Sequence, residues 1–336
     1  MTDFLVTIVI PTLAADARLR ECVGALHRQS RHDFRIVVVD NSGQALARRN
    51  GTAPGAEIIE NGTNVGFGAG VNQGIEASCS RYLAVLNDDA VPHPEWLDAV
   101  VRALEQRPDA GMCASQVRLF GETRLDSAGM LVARDGSSKQ RGHGRPLEDF
   151  PVPEETLFPS GSAALYRRSM LDEVGGFDDS FFLYCEDTDL GLRARWAGWK
   201  CLYVPQAMVE HHYSHSAGRA SPVKAYYVER NRLFVLLKTF PGSMLPAALL
   251  AAWGRYFWHF WYSLRGKGSA ARFRAEGNAG IRMLWYVLRA HGAVLLHGAR
   301  LWRQRAEIRA QARITPAVFK HLLRSHSISI RRMAAL

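Results

Sequence analysis

The stretch Tyr82-Leu83-Ala84-Val85-Leu86-Asn87-Asp88-Asp89 joins five apolar residues to three polar ones, and it decides the fold. An uninterrupted apolar run of this length is typical of a strand that is buried on both faces of a parallel sheet. Polar residues that follow such a strand lie at its carboxyl end, where open α/β sheets bind their ligands. The stretch therefore predicts a central strand with a candidate site directly after it.

The same pattern of short apolar runs recurs upstream. Val6–Ile10 and Ile36–Val39 are rich in β-branched residues, and Ile58-Ile59 marks a third, shorter strand. Between the first two runs, Leu19–Gln29 has the spacing of a helix. Strands that alternate with helices indicate an α/β domain with a mostly parallel sheet.

The downstream half is less regular at first. Residues 120–157 mix glycine, proline and charged residues, with weak strand signals around Gly129–Ala133, and we expect a mobile connection there. Regular structure resumes with a strand at Ala163–Tyr166 and helices that begin near Arg168 and Asp187. A further strand is predicted at Cys201–Val204.

Composition indicates a globular protein of the cytoplasm. The 336 residues are 47% apolar and 22% charged, and the five cysteines form no C-x-x-C pair. This spacing excludes a disulfide framework and the common zinc-finger patterns, so we expect reduced thiols. The first residues lack the pattern of a secretory signal peptide, which favours the cytoplasmic side of a membrane.

The formal net charge of +10 is unevenly distributed along the chain. Residues 1–264 carry 27 Lys and Arg against 30 Asp and Glu, a balance of −3, whereas residues 265–336 carry 15 against 2, a balance of +13. Met244–Leu264 is apolar and aromatic over about the length of a membrane span, but Pro246, Gly254, Arg255 and His259 interrupt it.

The basic tail has three interpretations. Ile281–Arg313 combines leucine and tryptophan with many arginines, as in amphipathic helices that lie on anionic membranes. The alternatives are helices that pack on the body with a solvated basic face, and a nucleic-acid surface.

Three clusters are candidates for chemistry. Asp88 and Asp89 repel each other at a strand end, and a divalent cation would remove that cost, although acidic residues there also cap helices. Glu186, Asp187 and Asp189 follow an aromatic stretch, which suits either a general base or a helix N-terminus. Glu210–His215 holds three histidines, which indicates metal ligands or a surface loop.

The glycine-rich stretch Asn64–Gly70 raises the alternative of a nicotinamide-dependent oxidoreductase. The G-x-G-x-x-G fingerprint requires a glycine at 71 or 73, where Val71 and Gln73 stand, and the stretch does not follow the first strand. Its backbone amides precede a helix and would still suit a phosphate or the hydroxyls of a sugar nucleotide. A non-enzymatic membrane or nucleic-acid binding module is the other alternative, but it leaves the acidic clusters unexplained.

In combination these motifs resemble family 2 glycosyltransferases of the GT-A fold, in particular rhamnosyltransferase-like members. The resemblance covers about residues 5–240 and rests on the order of Val6–Thr12, Val37–Gly43, Asn64–Gly74, Leu86–Ala90, Ser160–Arg168, Phe181–Leu190 and His211–Ser216. It implies a catalytic domain over residues 1–240 and a basic, aromatic-rich helical region over residues 241–336 that associates with a membrane.

The resemblance also implies roles for individual residues. Asp89 matches the last position of the D-x-D-type metal motif, where Asn87 replaces the first carboxylate and Asp88 is left a secondary role on the donor side. His211 matches a histidine that completes the shell of Mg²⁺ or Mn²⁺. Asp187 matches the catalytic base.

For donor binding, the resemblance implies contacts to the nucleotide from Thr12, Asp40, Asn64, Gly66 and Asn72. Arg230 and Asn231 match a recurrent pattern of unassigned role.

The implied reaction is inverting transfer of a sugar from a nucleotide-sugar donor, with dTDP-rhamnose as a candidate, to a lipid-linked or glycan acceptor of the cell envelope. The cation would stabilise the leaving diphosphate while Asp187 takes the proton of the acceptor hydroxyl. We expect a cytoplasmic protein that is peripheral on the inner face of the membrane, with no nucleic-acid partner.

Overall fold

The protein is described by a computed structural model that covers residues 4–212, 222–266, 268, 271 and 280–335. Its strands are β1 (Val6–Thr12), β2 (Phe34–Asp40), β3 (Glu57–Glu60), β4 (Tyr82–Leu86), β5 (Ala90–Pro92), β6 (Ala110–Leu119), β7 (Leu125–Ser127), β8 (Met130–Val132), β9 (Ser138–Gln140), β10 (Glu154–Thr156), β11 (Ala163–Arg167) and β12 (Lys200–His211). Its helices are α1 (Ala17–Leu26), α2 (Leu46–Arg49), α3 (Phe67–Glu76), α4 (Trp96–Gln106), α5 (Arg168–Val174), α6 (Glu186–Trp196), α7 (Pro222–Thr239), α8 (Leu245–Leu264), α9 (Gly280–Ala310), α10 (Pro316–Ser325) and α11 (Ile330–Ala335).

The main sheet has the strand order β10-β12-β6-β11-β4-β1-β2-β3. β1 pairs in parallel with β2 and β4, and β2 with β3, so the carboxyl ends of these strands meet at one edge. β11 is antiparallel to both β4 and β6, and it inserts one reversed strand into the sheet. The predicted α/β fold with a mostly parallel sheet is confirmed.

Helices cover both faces of the sheet because successive side chains of a strand point to opposite sides. Val37 and Val39 pack into a core with residues of α3 and of α5 to α7. Ile36 and Val38 face a second core with α1 and α4. The continuous apolar pattern of these strands reflects burial on both sides.

Residues 120–157, where the sequence predicts a mobile connection, contain four short strands that pair, so this segment is more regular than expected. β7 pairs with β6, β8 with β9, and β10 with β12. The weak strand signal around residues 129–133 corresponds to β8. The partner of β10 is distant in the sequence, and strands of three residues leave little periodic signal.

The helices after residue 240 pack back onto the helices α6 and α7. Phe319 of α10 stacks on Trp196 of α6 with ring centroids 4.0 Å apart. An Nη atom of Arg309 on α9 donates to the Thr239 carbonyl at 3.0 Å. Within the described residues, no helix combines the length and the apolar character needed to cross a bilayer.

Candidate active site

The acidic motif begins where β4 ends. Asn87, Asp88 and Asp89 connect β4 to β5, beside the carboxyl end of β1. Thr12 closes β1, and its hydroxyl donates to Oδ2 of Asp88 at 2.6 Å. Burial raises the pKa of Asp88 to about 6, although the Thr12 hydrogen bond opposes this rise. The predicted donor-side residues Thr12 and Asp88 are therefore in direct contact.

His211 lies against Asp89, as the proposed metal pair requires. His211 Nε2 is 3.0 Å from Asp89 Oδ1 and 3.2 Å from Asn87 Nδ2. The backbone sets this contact, because His211 pairs with Ala90 in the β12–β5 ladder. The sequence had placed Glu210 and His211 on a loop, which was wrong, since both are the last residues of β12.

Of the third cluster, Tyr213, Ser214 and His215 lie outside the described residues. His212 is described, and its Nε2 lies 3.1 Å from Oε2 of Glu21. The histidine cluster thus contributes His211 to the pair with Asp89, while His212 makes a separate contact.

Asp126 and His143 extend the site, and the sequence analysis missed both. Oδ2 of the buried Asp126 is 2.8 Å from His211 Nδ1, and its Oδ1 is 3.1 Å from His143 Nδ1. Burial would raise the pKa of Asp126, but the two histidines outweigh it and lower the pKa to about 2. Burial would lower the pKa of His211, but Asp126 and Asp89 raise it to about 10.

The donor atoms suit a divalent ion. A carboxylate oxygen from Asp89 and the Nε2 nitrogen of His211 are ligand types of first-row divalent metals. Because the Asp126 carboxylate holds the proton on Nδ1, a bound metal would displace the proton of Nε2 and bind there. In the part of the chain that the structure describes, no cluster of three or more His, Cys, Asp or Glu side chains surrounds one point.

Hydrogen bonds of the turn at Gly161 and Ser162 link Asp187 to the acidic motif. Asp187 Oδ2 accepts a hydrogen bond from the Gly161 amide at 3.1 Å, and its Oδ1 accepts one from the Thr188 amide at 2.6 Å. The carbonyl of Ser162 in the same turn accepts from the Asn87 amide at 3.0 Å. One turn therefore joins the base candidate to the residue that opens the acidic motif.

The neighbouring carboxyl groups of Glu186 and Asp187 differ in how strongly their surroundings favour the protonated form. Burial, followed by the charge of Asp187, raises the pKa of Glu186 to about 8. Burial also raises the pKa of Asp187, but hydrogen bonds from the Gly161 and Thr188 amides oppose the rise. Glu186 Oε2 has no hydrogen-bond partner among the described residues. Burial therefore favours the protonated form of Glu186, whereas the two amide donors favour the ionised form of Asp187.

The loop before Asp187 is held in an unusual conformation. Phe182, Tyr184 and Cys185 have φ of +61°, +69° and +67°, values that non-glycine residues seldom adopt. The buried amide of Asn231 on α7 donates to the carbonyls of Phe181, Leu183 and Tyr184 at 2.9, 2.8 and 2.7 Å. These hydrogen bonds from Asn231 stabilise the loop in its strained backbone conformation.

The glycine-rich loop lies against the base loop. Asn64 Oδ1 accepts from the Gly66 amide at 2.9 Å, and the Phe67 amide donates to the Phe182 carbonyl at 2.8 Å. Gly66 has φ +93°, and a Cβ there would lie 2.5 Å from the Phe182 carbonyl oxygen. Only glycine fits this contact.

Asp40 and Asn72 make mainly structural hydrogen bonds. The two carboxylate oxygens of Asp40 accept from the amides of Ser42 at 2.9 Å and Ala47 at 2.7 Å. The Asn72 amide donates to the Phe177 carbonyl at 2.8 Å and accepts from the Phe177 amide at 2.9 Å. The donor-binding roles of Asp40, Asn64, Gly66 and Asn72 stay predictions.

Comparison with known proteins identifies the family. The sequence model of glycosyl transferase family 2 matches residues 7–175. The chain is 30% identical over 257 residues to the N-acetylglucosaminyl-diphospho-decaprenol L-rhamnosyltransferase of Mycobacterium tuberculosis, which covers 68% of this chain and 82% of that relative.

Two solved structures share the fold. GalNAc-T7 with UDP, GalNAc and Mn²⁺ has a TM-score of 0.57 and 15% identity, over 77% of this chain and 50% of that one. The mannosyltransferase PcManGT from Pyrobaculum calidifontis, in complex with GDP-Man and Mn²⁺, has a TM-score of 0.51 and 16% identity, over 91% of this chain and 85% of that one. With an acidic motif at the end of β4 and a family match that spans half of its sequence, the chain belongs to glycosyl transferase family 2 and is a glycosyltransferase.

Proposed function

We propose that the protein is an inverting, metal-dependent glycosyltransferase that moves rhamnose from dTDP-rhamnose to a lipid-linked acceptor in cell-envelope polysaccharide synthesis. The name of the mycobacterial relative supports the sugar and the diphospho-polyprenol class of acceptor. The observation that supports the proposal is the contact of His211 Nε2 with Asp89 Oδ1, together with the turn whose Gly161 amide binds Asp187 and whose Ser162 carbonyl binds the Asn87 amide.

The metal proposal rests on the pair Asp89 and His211. A bound Mn²⁺ or Mg²⁺ would supply Lewis-acid stabilisation of the diphosphate as it leaves the sugar. Asp89 would bind the ion through its carboxylate and His211 through Nε2, while Asp126 orients the imidazole from its other side. With two ligands from the protein, the diphosphate of the donor would supply further oxygens.

Asp187 is the proposed base. Its carboxylate would accept the proton of the acceptor hydroxyl while that oxygen attacks the anomeric carbon from the face opposite the diphosphate. One bond forms as one breaks, so the configuration inverts and no covalent sugar–enzyme intermediate arises. Glu186, by retaining its proton, keeps a second negative charge away from Asp187.

Two substitutions test these roles. We expect Asp187→Asn to lower kcat by about 100- to 10,000-fold, because a general base contributes that much, while donor affinity stays unchanged. We expect Asp89→Ala to abolish the Mn²⁺ dependence of donor binding, measured by calorimetry with dTDP-rhamnose. Asp172→Asn, which changes an exposed carboxylate outside the site, is the matched control. Normal turnover by Asp187→Asn would refute the assignment.

A thermal-shift panel tests the donor. UDP-, dTDP- and GDP-sugars are compared with and without Mn²⁺ or Mg²⁺, because only a donor that binds the folded state raises Tm. The proposal requires dTDP-rhamnose with a divalent ion to give the largest rise. A larger shift with a UDP- or GDP-sugar would overturn the proposed donor while leaving the mechanism intact.

The basic C-terminal region supports a peripheral location on an anionic membrane. A polyprenol-linked acceptor would reside in a bilayer, and the balance of +13 over residues 265–336 would attract the enzyme to acidic headgroups.

A further inference from the structure

The helix α8 has two distinct faces. Its outward face carries seven exposed apolar side chains: Leu249, Leu250, Trp253, Phe257, Phe260, Trp261 and Leu264. The side chains of Leu250 and Trp253 are each 74% exposed. At about 3.6 residues per turn these positions occupy about one third of the helix circumference. An exposed apolar stripe with four aromatic rings marks an interaction surface.

The opposite face of α8 is fixed to the body by buried charges. Arg255 pairs with Glu229 of α7, and its Nε lies 3.6 Å from Oδ2 of the buried Asp135. Arg232 donates from Nε to Glu229 at 2.9 Å, and Tyr256 also donates to Glu229. Removing one member of such a network leaves an unpaired buried charge, so the network resists rotation of α8.

This anchor explains the polar residues that interrupt the apolar segment. Arg255 lies in the ion-pair network, and burial together with the charge of Arg255 lowers the pKa of the neighbouring His259 to about 3. Ala248 and Ala252 are buried on the same side. Because these contacts hold the polar face of α8 against the body, the apolar face points outward.

The same stretch of α7 that anchors α8 also holds the base loop. Glu229 binds Arg255, and two residues later Asn231 donates to the carbonyls of the loop before Asp187. If α8 binds a surface, the orientation of Asp187 relative to that surface is therefore fixed through α7.

The charges around the face indicate what it binds. Arg265 lies over the ring of Trp261 at 4.5 Å, and the exposed Arg331 of α11 lies over the ring of Trp258 at 5.1 Å. Tryptophan and phenylalanine beside arginine are the composition of helices that lie in the interface of an anionic bilayer. A protein partner of acidic surface would complement the arginines but not the wide aromatic stripe.

We propose that the outward face of α8 inserts into the interfacial region of an anionic lipid bilayer and that α7 thereby fixes the orientation of the base loop relative to that bilayer. This deepens the proposed function, on which the lipid-linked acceptor rests, by naming the surface that docks.

The test compares two variants of the full chain in vesicle sedimentation, without donor or acceptor. The vesicles are either phosphatidylcholine alone or equal parts phosphatidylcholine and phosphatidylglycerol. The variant Trp253→Ser/Phe257→Ser/Phe260→Ser removes three rings of the face. The control Val152→Ser/Val318→Ser removes two exposed apolar side chains elsewhere. Circular dichroism and Tm establish that each variant is folded.

We expect the wild type and the control to bind anionic vesicles, less tightly at high salt, and the triple variant to bind at least about fivefold less. Binding of the folded triple variant equal to wild type would overturn the proposal, as would failure of the wild type to bind. A wild-type dimer that the triple variant converts to a monomer would show instead that a second copy covers the face.

Transfer to a water-soluble acceptor without a lipid is assayed separately. Vesicle binding without transfer would contradict the proposed function alone, and transfer without vesicle binding would contradict the docking surface alone.

Discussion

At the level of single residues, Asp126 determines which nitrogen of His211 faces Asp89. Its carboxylate accepts the Nδ1 proton, so Nε2 is the nitrogen whose proton a metal would displace. In Asp126→Asn, the amide would donate to Nδ1 and place the proton on Nε2. We expect the Mn²⁺ concentration for half-maximal activity to rise about 10- to 100-fold with little change in the donor KM at saturating Mn²⁺. An unchanged Mn²⁺ titration, with Asp172→Asn as reference, would contradict this role.

Glu186 is the residue whose ionisation should limit stability at high pH. Its pKa is about 8 in the folded protein, above the ordinary value of 4.5, so the folded state favours the protonated form. Stability from this group is therefore complete below about pH 4.5 and is lost progressively as the pH rises toward 8.

Glu186→Gln removes this pH dependence and keeps the side-chain volume. We expect the Tm of the variant, relative to wild type, to increase between pH 5 and pH 8.5 by about several degrees. Thermal unfolding at several pH values measures the difference. If the two Tm curves run parallel over this range, Glu186 does not hold the proton.

At the level of elements, α7 supports the base loop through Asn231. Replacement by alanine leaves the carbonyls of Phe181, Leu183 and Tyr184 without the amide, at a cost of about 1–3 kcal/mol for a buried unsatisfied group. We expect Asn231→Ala to lower kcat while donor affinity changes little, and to expose residues 180–185 to limited proteolysis. Asn50→Ala, in which an exposed amide is removed, is the control. Equal kcat for both variants would show that the conformation of the loop before Asp187 does not depend on Asn231.

The sequence predicted those strands and helices whose own residues carry a clear apolar pattern. β4 matches the predicted strand Tyr82–Leu86, because burial on both faces requires a continuous apolar run. β12 was predicted to end near Val204, yet it continues to His211 after a register shift between Val204 and Met208. Such an irregularity interrupts the periodic pattern, so the strand seemed to stop at Pro205.

The candidate site was predictable only in part. Asp89, Asp187 and His211 stand in recognisable motifs; the structure pairs His211 with Asp89 and links Asp187 to Asn87 through one turn, while their roles stay predictions. Asp126 lies 85 residues from His211 in the sequence, within a segment of three-residue strands, and no local signal marks it. Its role depends on β7 pairing with β6, which spacing alone does not reveal.

At the level of the whole molecule, the helices beyond residue 240 share a core with the central sheet and with α5 to α7. Leu301, Ile308 and Leu323 are buried in the same core as Trp196. Arg305 and Arg309 donate to the carbonyls of Leu237 and Thr239 at the end of α7. Two of the basic residues that make up the +13 balance of residues 265–336 thus hold the C-terminal helices on α7.

This packing predicts that the C-terminal helices and the catalytic body unfold together. Phe319→Ala would remove the ring that stacks on Trp196, at a cost of about 3–5 kcal/mol typical of a buried phenylalanine. The neighbouring Val318 is 53% exposed, so Val318→Ala should cost far less. We expect one cooperative transition in urea, followed by both tryptophan fluorescence and circular dichroism, with a lower midpoint for Phe319→Ala alone. Two separate transitions, with only the minor one shifted by Phe319→Ala, would mean that the C-terminal helices fold as an independent unit.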